Sequence, residues 1–502
     1  MGSLIRSVNQ AGDVRIGVNT FDIAPPASAV GALSKKVGIV MHLGWGPQNV
    51  VTKISSFAEF RSIFYPEAFG DIDTDTYPAL LALLGKRFPG PFYVCRINPT
   101  GTADVATVYS YTVSGGAFVG TAKYTGTLGN AISVTWAAAT DADSAHRNLT
   151  ISIGTTYSVT YENVTLTSVL SLGNPYITWT ASSSPSALPA AAASPSSTTA
   201  GVDGVAVAGD YVGSSSSSVG IRKFYAGNVN VDSLFVAECP SAVLNAVNTG
   251  LVAYADDAGK NGEVYLSSVA SQTASAAATY AASYRSDTSK VVYTWPRLVG
   301  PNNFDATFPN VTVDGNAFAA VMGASVDPWM SPEGKTSARY LTWVTDLETD
   351  DSPDGTIDTL ADAGVSSFYN EDTLGVIMIP AVTTNITSGQ ENLQRSRYRD
   401  YVNSNLSAIA IQYLGLPTDV DLTGQTLGET SGGLVGAITA FLQNEKDKRH
   451  IAAYSVDAFG SNTQDDIDAG DFTVAVAIDL FAPMRRIVLK TTIGSTVQIS
   501  SS

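Results

Sequence analysis

The sequence predicts a multidomain chain of the α/β and α+β classes. A mixed-sheet α/β core is interrupted by an inserted all-β domain and followed by a small α+β C-terminal domain, with strand-exchanging arms at both ends. Three observations carry this reading. The chain has 502 residues, enough for about three domains of ordinary size. Apolar runs of strand length alternate with helix-like segments before residue 100 and again after 230, the texture of a parallel or mixed sheet. Between 100 and 228 the texture changes: Gly, Ser and Thr dominate, and no Lys or Arg occurs between Arg147 and Arg222.

Each element follows in order. Residues 1–30 read as an extended arm, because Val14, Ile16 and Val18 alternate with Arg15 and Gly17 before Pro25-Pro26 stops any regular element. The core is expected over 31–99 and 229–385. Val37-Gly38-Ile39-Val40 reads as a strand leading into the turn Gly44-Trp45-Gly46-Pro47. A helix through Phe57, Phe60, Ile63 and Phe64 follows, with Ser55-Ser56 able to cap it. A helix over 77–84 and a strand at Phe92 to Ile97 complete this block.

The inserted domain, 100–228, shows short alternating strands such as Ile132 to Trp136 and Leu149 to Ile153. Residues 181–200 and Ser214 to Ser218 are low-complexity loops on it. The α/β pattern resumes with strands at Ser233 to Ala237, Val264 to Leu266 and Val291 to Trp295, and with helices over 241–257 and 273–285. From 386 to 484 the chain reads as the α+β domain, with helices at Leu393 to Tyr413 and Gly433 to Glu445 and alternation from Phe472 to Leu480. Ile487, Leu489 and Thr491 alternate in a last strand, the arm 485–502. Neither arm has an obvious local partner, and an unpaired strand invites pairing with another chain.

Composition narrows the function. Charged residues are 15% of the chain and the net charge is −17. That is little charge for a large surface, as expected where much of it meets other protein. Mean hydropathy is +0.11, yet no stretch approaches the ~20 apolar residues of a membrane span. The first residues lack the apolar stretch of a secretory signal. An acidic balance without a basic block argues against nucleic acid as the main partner. Two cysteines, Cys95 and Cys239, are too few for a disulfide framework; each sits at the end of an apolar strand and is expected buried and reduced.

Catalytic motifs are wanting. His42, His146 and His450 are far apart, and no nucleophile elbow, phosphate-binding loop or dinucleotide fingerprint is formed. Asp350, Ser352, Asp354, Gly355 and Asp358 follow a calcium-loop spacing, but Ala361 stands where the bidentate Glu belongs. Asp71-Ile72-Asp73-Thr74-Asp75 has Thr76 in place of the needed Gly. No enzyme, metal or cofactor is therefore expected. The stretch between Arg339 and Arg395 carries acidic residues from Asp346 to Glu391 and no basic one. It reads as a solvent face or as one that meets a basic partner.

The order of motifs resembles the contractile tail sheath family of phages and related injection machines. The N-terminal block from Val37 through Gly44-Trp45-Gly46-Pro47 and Phe57 to Ile97 fits, as does Ala122-Lys123-Tyr124-Thr125-Gly126-Thr127-Leu128-Gly129-Asn130 at the opening of the insert. Val313 to Ala324, with Asp327, Trp329 and Pro332-Glu333-Gly334, resembles a further family segment. It departs there in having Asp314 for a proline and Ser325 for an arginine. Gln394 to Val402 resembles the arginine-rich helix start, and Asn462 to Ile487 the C-terminal signature. Together these cover about 31–135 and 231–490.

The resemblance implies a non-enzymatic structural subunit that polymerises helically around an inner tail tube and contracts to drive it through an envelope. Implied partners are further copies of the chain, the tube protein, and baseplate and tail terminator proteins, without direct nucleic-acid contact or membrane insertion. The implied location is a virion tail assembled in the host cytoplasm. Residues 1–24 and 485–502 would exchange strands between subunits, the inserted domain would face outward, and the C-terminal domain would face the tube. Lys446, Lys448 and Arg449, at the end of a helix, would touch the tube by charge; the same residues would equally suit the negative end of a helix dipole. A β-rich surface adhesin, or another virion or baseplate structural protein, remains the alternative. A glycosidase would need a paired carboxylate site that nothing marks.

Overall fold

A computed structural model describes residues 35–69, 90–97, 99, 105–226, 229, 231–237, 239–257, 262–301, 310–349, 356–387 and 391–481. By internal packing, described residues up to Val402 form one compact unit and Asn403–Phe481 another. The larger unit is organised by an eight-stranded sheet. Its strands are β1 (Val37–Met41), β2 (Val51–Ile54), β3 (Phe92–Arg96), β11 (Ser233–Val236), β12 (Glu263–Leu266), β13 (Val291–Trp295), β17 (Val365–Glu371) and β18 (Gly375–Met378), in the order β18-β17-β13-β12-β11-β1-β3-β2. The central strands β17, β13, β12, β11, β1 and β3 are parallel. The edge strands β18 and β2 are antiparallel to their neighbours.

A parallel sheet has to be covered on both faces, so its strands are apolar on both. Val37, Ile39 and Met41 point into one core with Phe235, Tyr265 and Val292, whereas Val40, Leu234, Val236, Val264 and Tyr293 point into the other. Helices α2 (Ser241–Ala255) and α3 (Ala274–Ser283) cover the second face. The first is covered by α1 (Phe57–Phe64), whose N-cap Ser56 accepts from the Glu59 amide, and by α4 (Gly315–Ser325). Every residue of α4 is buried. Gly323 permits its close approach to the sheet, since a Cβ there would collide with the Tyr265 hydroxyl.

The segment between β3 and β11 folds as two packed antiparallel sheets. One has the order β10-β4-β5-β9, from β4 (Val108–Val113), β5 (Gly116–Ala122), β9 (Ile177–Ser183) and β10 (Ser197–Thr199). The other is β6 (Ile132–Ala138), β7 (Arg147–Ile153) and β8 (Tyr157–Val164). Tyr111, Trp136 and Trp179 meet in their shared core at centroid separations of 5.6–6.3 Å.

Two side chains tie this β region to the α/β sheet. Trp45, from the loop after β1, is buried in the β region's own core, 4.6 Å from Phe69 and 5.2 Å from Tyr124. Arg96, fully buried at the end of β3, donates from Nε to the Leu43 carbonyl (2.5 Å), from Nη1 to Gly46 (2.8 Å) and from Nη2 to Thr125 (3.1 Å). Charge-assisted bonds to buried carbonyls are worth about 1.5–3 kcal/mol each, so the turn at 43–46 and the start of the insert are held by one guanidinium.

Packing moves two of the boundaries read from composition. Ala206, Tyr211, Ile221 and Phe224 lie in the core of the α/β sheet, so the chain returns to that core well before 228. The Ser-rich surface around 214–218 hides this, because only a few side chains in the stretch are buried. At the other end, Leu393 belongs to the α/β core and Tyr398 and Val402 are buried, so the packing break comes at 403 and not at 386. Cys95 is buried and its thiol is pushed up to about 12 by desolvation. Cys239 corrects the expectation for the pair: it sits in the loop past β11 and is only half-buried. The Asp71–Asp75 string, the 77–84 segment and Asp350–Gly355 lie outside the described residues. No described helix is long and apolar enough to cross a membrane.

Two predictions follow from the packing and the surface charges. Gly323→Ala should cost about 1–3 kcal/mol in urea unfolding, as overpacking does, and Tyr265→Phe in that background should recover part of the loss. The second concerns the loop 141–146, where the Asp141 carboxylate meets His146 Nδ1 at 2.6 Å and Asp143 lies 3.8 Å from Nε2. The Asp141 hydrogen bond raises the His146 pKa and lowers that of Asp141. The imidazolium's contribution is complete below the ordinary histidine value and lost as pH rises through the raised one. The carboxylate's is complete above the ordinary Asp value and lost as pH falls through the lowered one. An NMR titration should show His146 titrating above an ordinary histidine in the wild type and near the ordinary value in Asp141→Asn.

Candidate interaction surfaces

The smaller unit, 403–481, places the sequence-predicted basic residues. Helix α6 (Leu393–Ala410) enters it and ends in a 3₁₀ turn at Ile411–Tyr413. Ile411, Leu414 and Leu416 there are 68%, 82% and 52% exposed. A short hairpin, β19 (Val420–Asp421) with β20 (Thr426–Leu427), brings the chain to α7 (Glu429–Asp447). Gly428 offers no side chain to cap this helix, and the carboxylate of Asp419 does so instead. It accepts from the amides of Thr430 (2.9 Å) and Ser431 (2.7 Å), bonds that lower the Asp419 pKa.

Helix α7 buries Ile438, Phe441 and Leu442 and closes on a charged turn. Glu445 is fully buried on its inner face. Its carboxylate meets His450 Nδ1 at 2.8 Å and Lys448 Nζ at 4.0 Å, and its carbonyl accepts from the His450 amide at 3.0 Å. This bracing turns the chain back into the next strand and leaves Lys446, Lys448 and Arg449 exposed together. Lys446 Nζ lies 6.0 Å from the centre of the Tyr454 ring, and Lys448 is the C-cap, where a cation suits the helix dipole. Both sequence readings of these residues are thus compatible with one arrangement.

Strands β21 (Ile451–Asp457) and β22 (Ala475–Leu480) pair antiparallel, from Ile451 with Leu480 to Asp457 with Ala475. Alternation divides them. Tyr454, Val456, Val476 and Ile478 are half-buried, while Ala453, Ser455, Ala477 and Asp479 face out. Between them, α8 (Gln464–Ala469) is closed by reciprocal Thr463 and Asp466 bonds at its start and by left-handed Gly470 at its end. Among the described residues these two strands pair only with each other. A two-stranded ribbon is marginal alone, and either outer edge can accept a further strand. Val14, Ile16, Val18, Ile487, Leu489 and Thr491, the residues expected to supply such strands, lie outside the described residues.

The sequence missed the acidic cap at Asp419, the buried Glu445 that braces the basic turn, and the exposed apolar run after α6. Only the last left a signal, in the spacing of Ile411, Leu414 and Leu416 just past a helix end. Among the described residues no group of three or more His, Cys, Asp and Glu could hold a metal ion.

No family model and no curated protein sequence matches the chain. Solved structures do. The sheath tail protein of Desulfitobacterium hafniense is 14% identical with a TM-score of 0.59, covering 93% of this chain and 100% of its own. The sheath tail protein of Listeria innocua is 14% identical with a TM-score of 0.58, covering 89% and 94%. The helical sheath of the anti-feeding prophage in its contracted state is 13% identical with a TM-score of 0.55, covering 97% and 99%. These likenesses, over most of the chain, give it the mixed α/β fold of sheath tail proteins.

Proposed function

We propose that this protein is the structural subunit of a contractile phage tail sheath, polymerising helically around an inner tail tube and contracting to drive the tube through the host envelope. The observation that carries the proposal is likeness to a contracted helical sheath over 97% of this chain and 99% of the other. The ribbon β21–β22 supports it, since its two outer edges suit strand addition from neighbouring copies. A head-to-tail contact that does not close on itself builds an open helical filament. In this reading 1–30 and 485–502 are the exchanging arms, the β-rich insertion that follows β3 faces outward, and the smaller unit faces the tube.

The partners are further copies of this chain, the tube protein, and the baseplate and terminator proteins at the tail's ends; the subunit works in the virion tail after assembly in the host cytoplasm. It catalyses nothing and needs no cofactor. Contraction draws on lattice contacts stored at assembly, and rigid-body rotation about interfaces is an established class of transition. A difference of only ~1 kcal/mol per subunit, small beside folding stability, becomes large over many coupled copies. The basic turn supplies tube contacts that are individually weak: exposed ion pairs of about 0.2–1 kcal/mol template assembly collectively and release singly.

Electron microscopy of the purified protein should show hollow helical tubes. Removing 1–24 or 485–502 should leave a soluble folded monomer that no longer forms them. Normal tubes from either truncation would refute strand exchange by the arms. Reversing Lys446, Lys448 and Arg449 to Glu should abolish salt-sensitive co-assembly with purified tube protein yet leave tube-free polymer intact. Unchanged co-assembly would place the tube contact elsewhere in the C-terminal unit.

A further inference from the structure

Where β11 and β12 begin side by side, the larger unit buries an acidic cluster that the proposed function does not use. Glu263, the first residue of β12, is 4% exposed and stands in register with Ser233. From α6, the Ser396 hydroxyl reaches its Oε1 at 3.3 Å, and Asp400, one turn on and 8% exposed, accepts from the Gly262 amide at 2.8 Å. Asp232 approaches from the segment before β11 and accepts from the Lys36 amide at 2.6 Å.

The positive charge facing Glu263 is Arg397, whose Nη1 donates to the Met330 carbonyl (3.2 Å) and whose Nη2 donates to that of Val326. Arg399 lies farther out, its Nε 3.8 Å from Asp400, and donates to the Thr288 carbonyl. Tyr265, two residues on from Glu263 along β12, is a further titratable neighbour. Buried Glu263 and Asp400 and half-buried Asp232 are thus brought together, with the Arg397 guanidinium engaged by two carbonyls and that of Arg399 3.8 Å from Asp400. Neighbouring carboxylates at low dielectric do not all ionise, and such a group holds a proton.

We propose that the Asp232–Glu263–Asp400 cluster is a proton-operated latch, which seats the first half of α6 against the starting ends of β11 and β12 while one proton is held and loosens it when that proton leaves. Glu263 is the deepest of the three and holds the proton. Desolvation first, and the Asp400 charge second, push its pKa up to about 8. A carboxyl with a raised folded pKa contributes stability that is complete below its unfolded value and lost as pH rises through the folded one. The latch therefore weakens as pH rises from the ordinary carboxylate range to about 8. It acts on the helix through which the chain passes into the smaller unit, and it stands whether or not the protein is a sheath subunit.

Hydrogen–deuterium exchange on the full-length chain tests the latch. After correction for the intrinsic pH dependence of exchange, protection of amides 393–402 should fall by about tenfold per pH unit between about pH 6 and pH 8, the limit for one proton released on opening. In Glu263→Gln, which keeps the shape and cannot lose a proton, protection should be flat over that range. Flat wild-type protection, or an undiminished slope in the variant, would overturn the proposal. Infrared spectroscopy of the wild type supplies a test that needs no variant. A protonated-carboxyl carbonyl band should be present at neutral pH and bleach above about pH 8; a spectrum without that band overturns the latch.

Discussion

The rest of the structure depends on the burial of one sheet from both sides. Parallel strands β17, β13, β12, β11, β1 and β3 cannot face water, so the chain has to supply a helical layer for each face. The two layers differ in kind. Helices α2 and α3 cover one face, whereas the other receives α4, a helix buried on every side that reaches the strands closely because of Gly323. Once both layers are in place, the ends of the strands are the positions left for polar business. Arg96 works at the end of β3, and the Asp232–Glu263–Asp400 cluster lies at the start of β11 and β12.

That arrangement explains how a large β-rich insertion is tolerated without loosening the core. It leaves the sheet after β3 and is fastened at the point of departure by Trp45 in its hydrophobic core and by Arg96 on the Thr125 carbonyl. The insertion is thereby fastened to the sheet at its root. For a subunit proposed to move as a body during contraction, such fastening lets force pass through the sheet while the insertion's loops vary.

The smaller unit follows a different logic. Its ribbon β21–β22 has a half-buried face against its own helix and edges that its own described residues do not fill. Its charged turn is braced from inside by Glu445, so that Lys446, Lys448 and Arg449 are presented by an ordered helix end. In the proposed lattice, a strand from a neighbouring copy would extend that ribbon.

The sequence by itself determined the class of each region, because that information is local. Period-2 alternation marked β6, β7 and the strand before residue 481, and continuous apolar runs marked β1 and β13. A capping serine marked where α1 begins, and a glycine-rich turn marked where β1 stops. The ordered set of motifs also carried the resemblance whose fold the solved structures display. Tertiary structure alone decided the rest, for reasons of long-range contact. A helix buried all round, such as α4, has no amphipathic stripe to read. The return of Ala206–Phe224 to the α/β core turns on a few buried side chains among many exposed serines. The carboxylates of Asp232, Glu263 and Asp400 are ordinary surface types in sequence. They become one site because the sheet sets two strand starts side by side and α6 lays its arginine-rich turn across them.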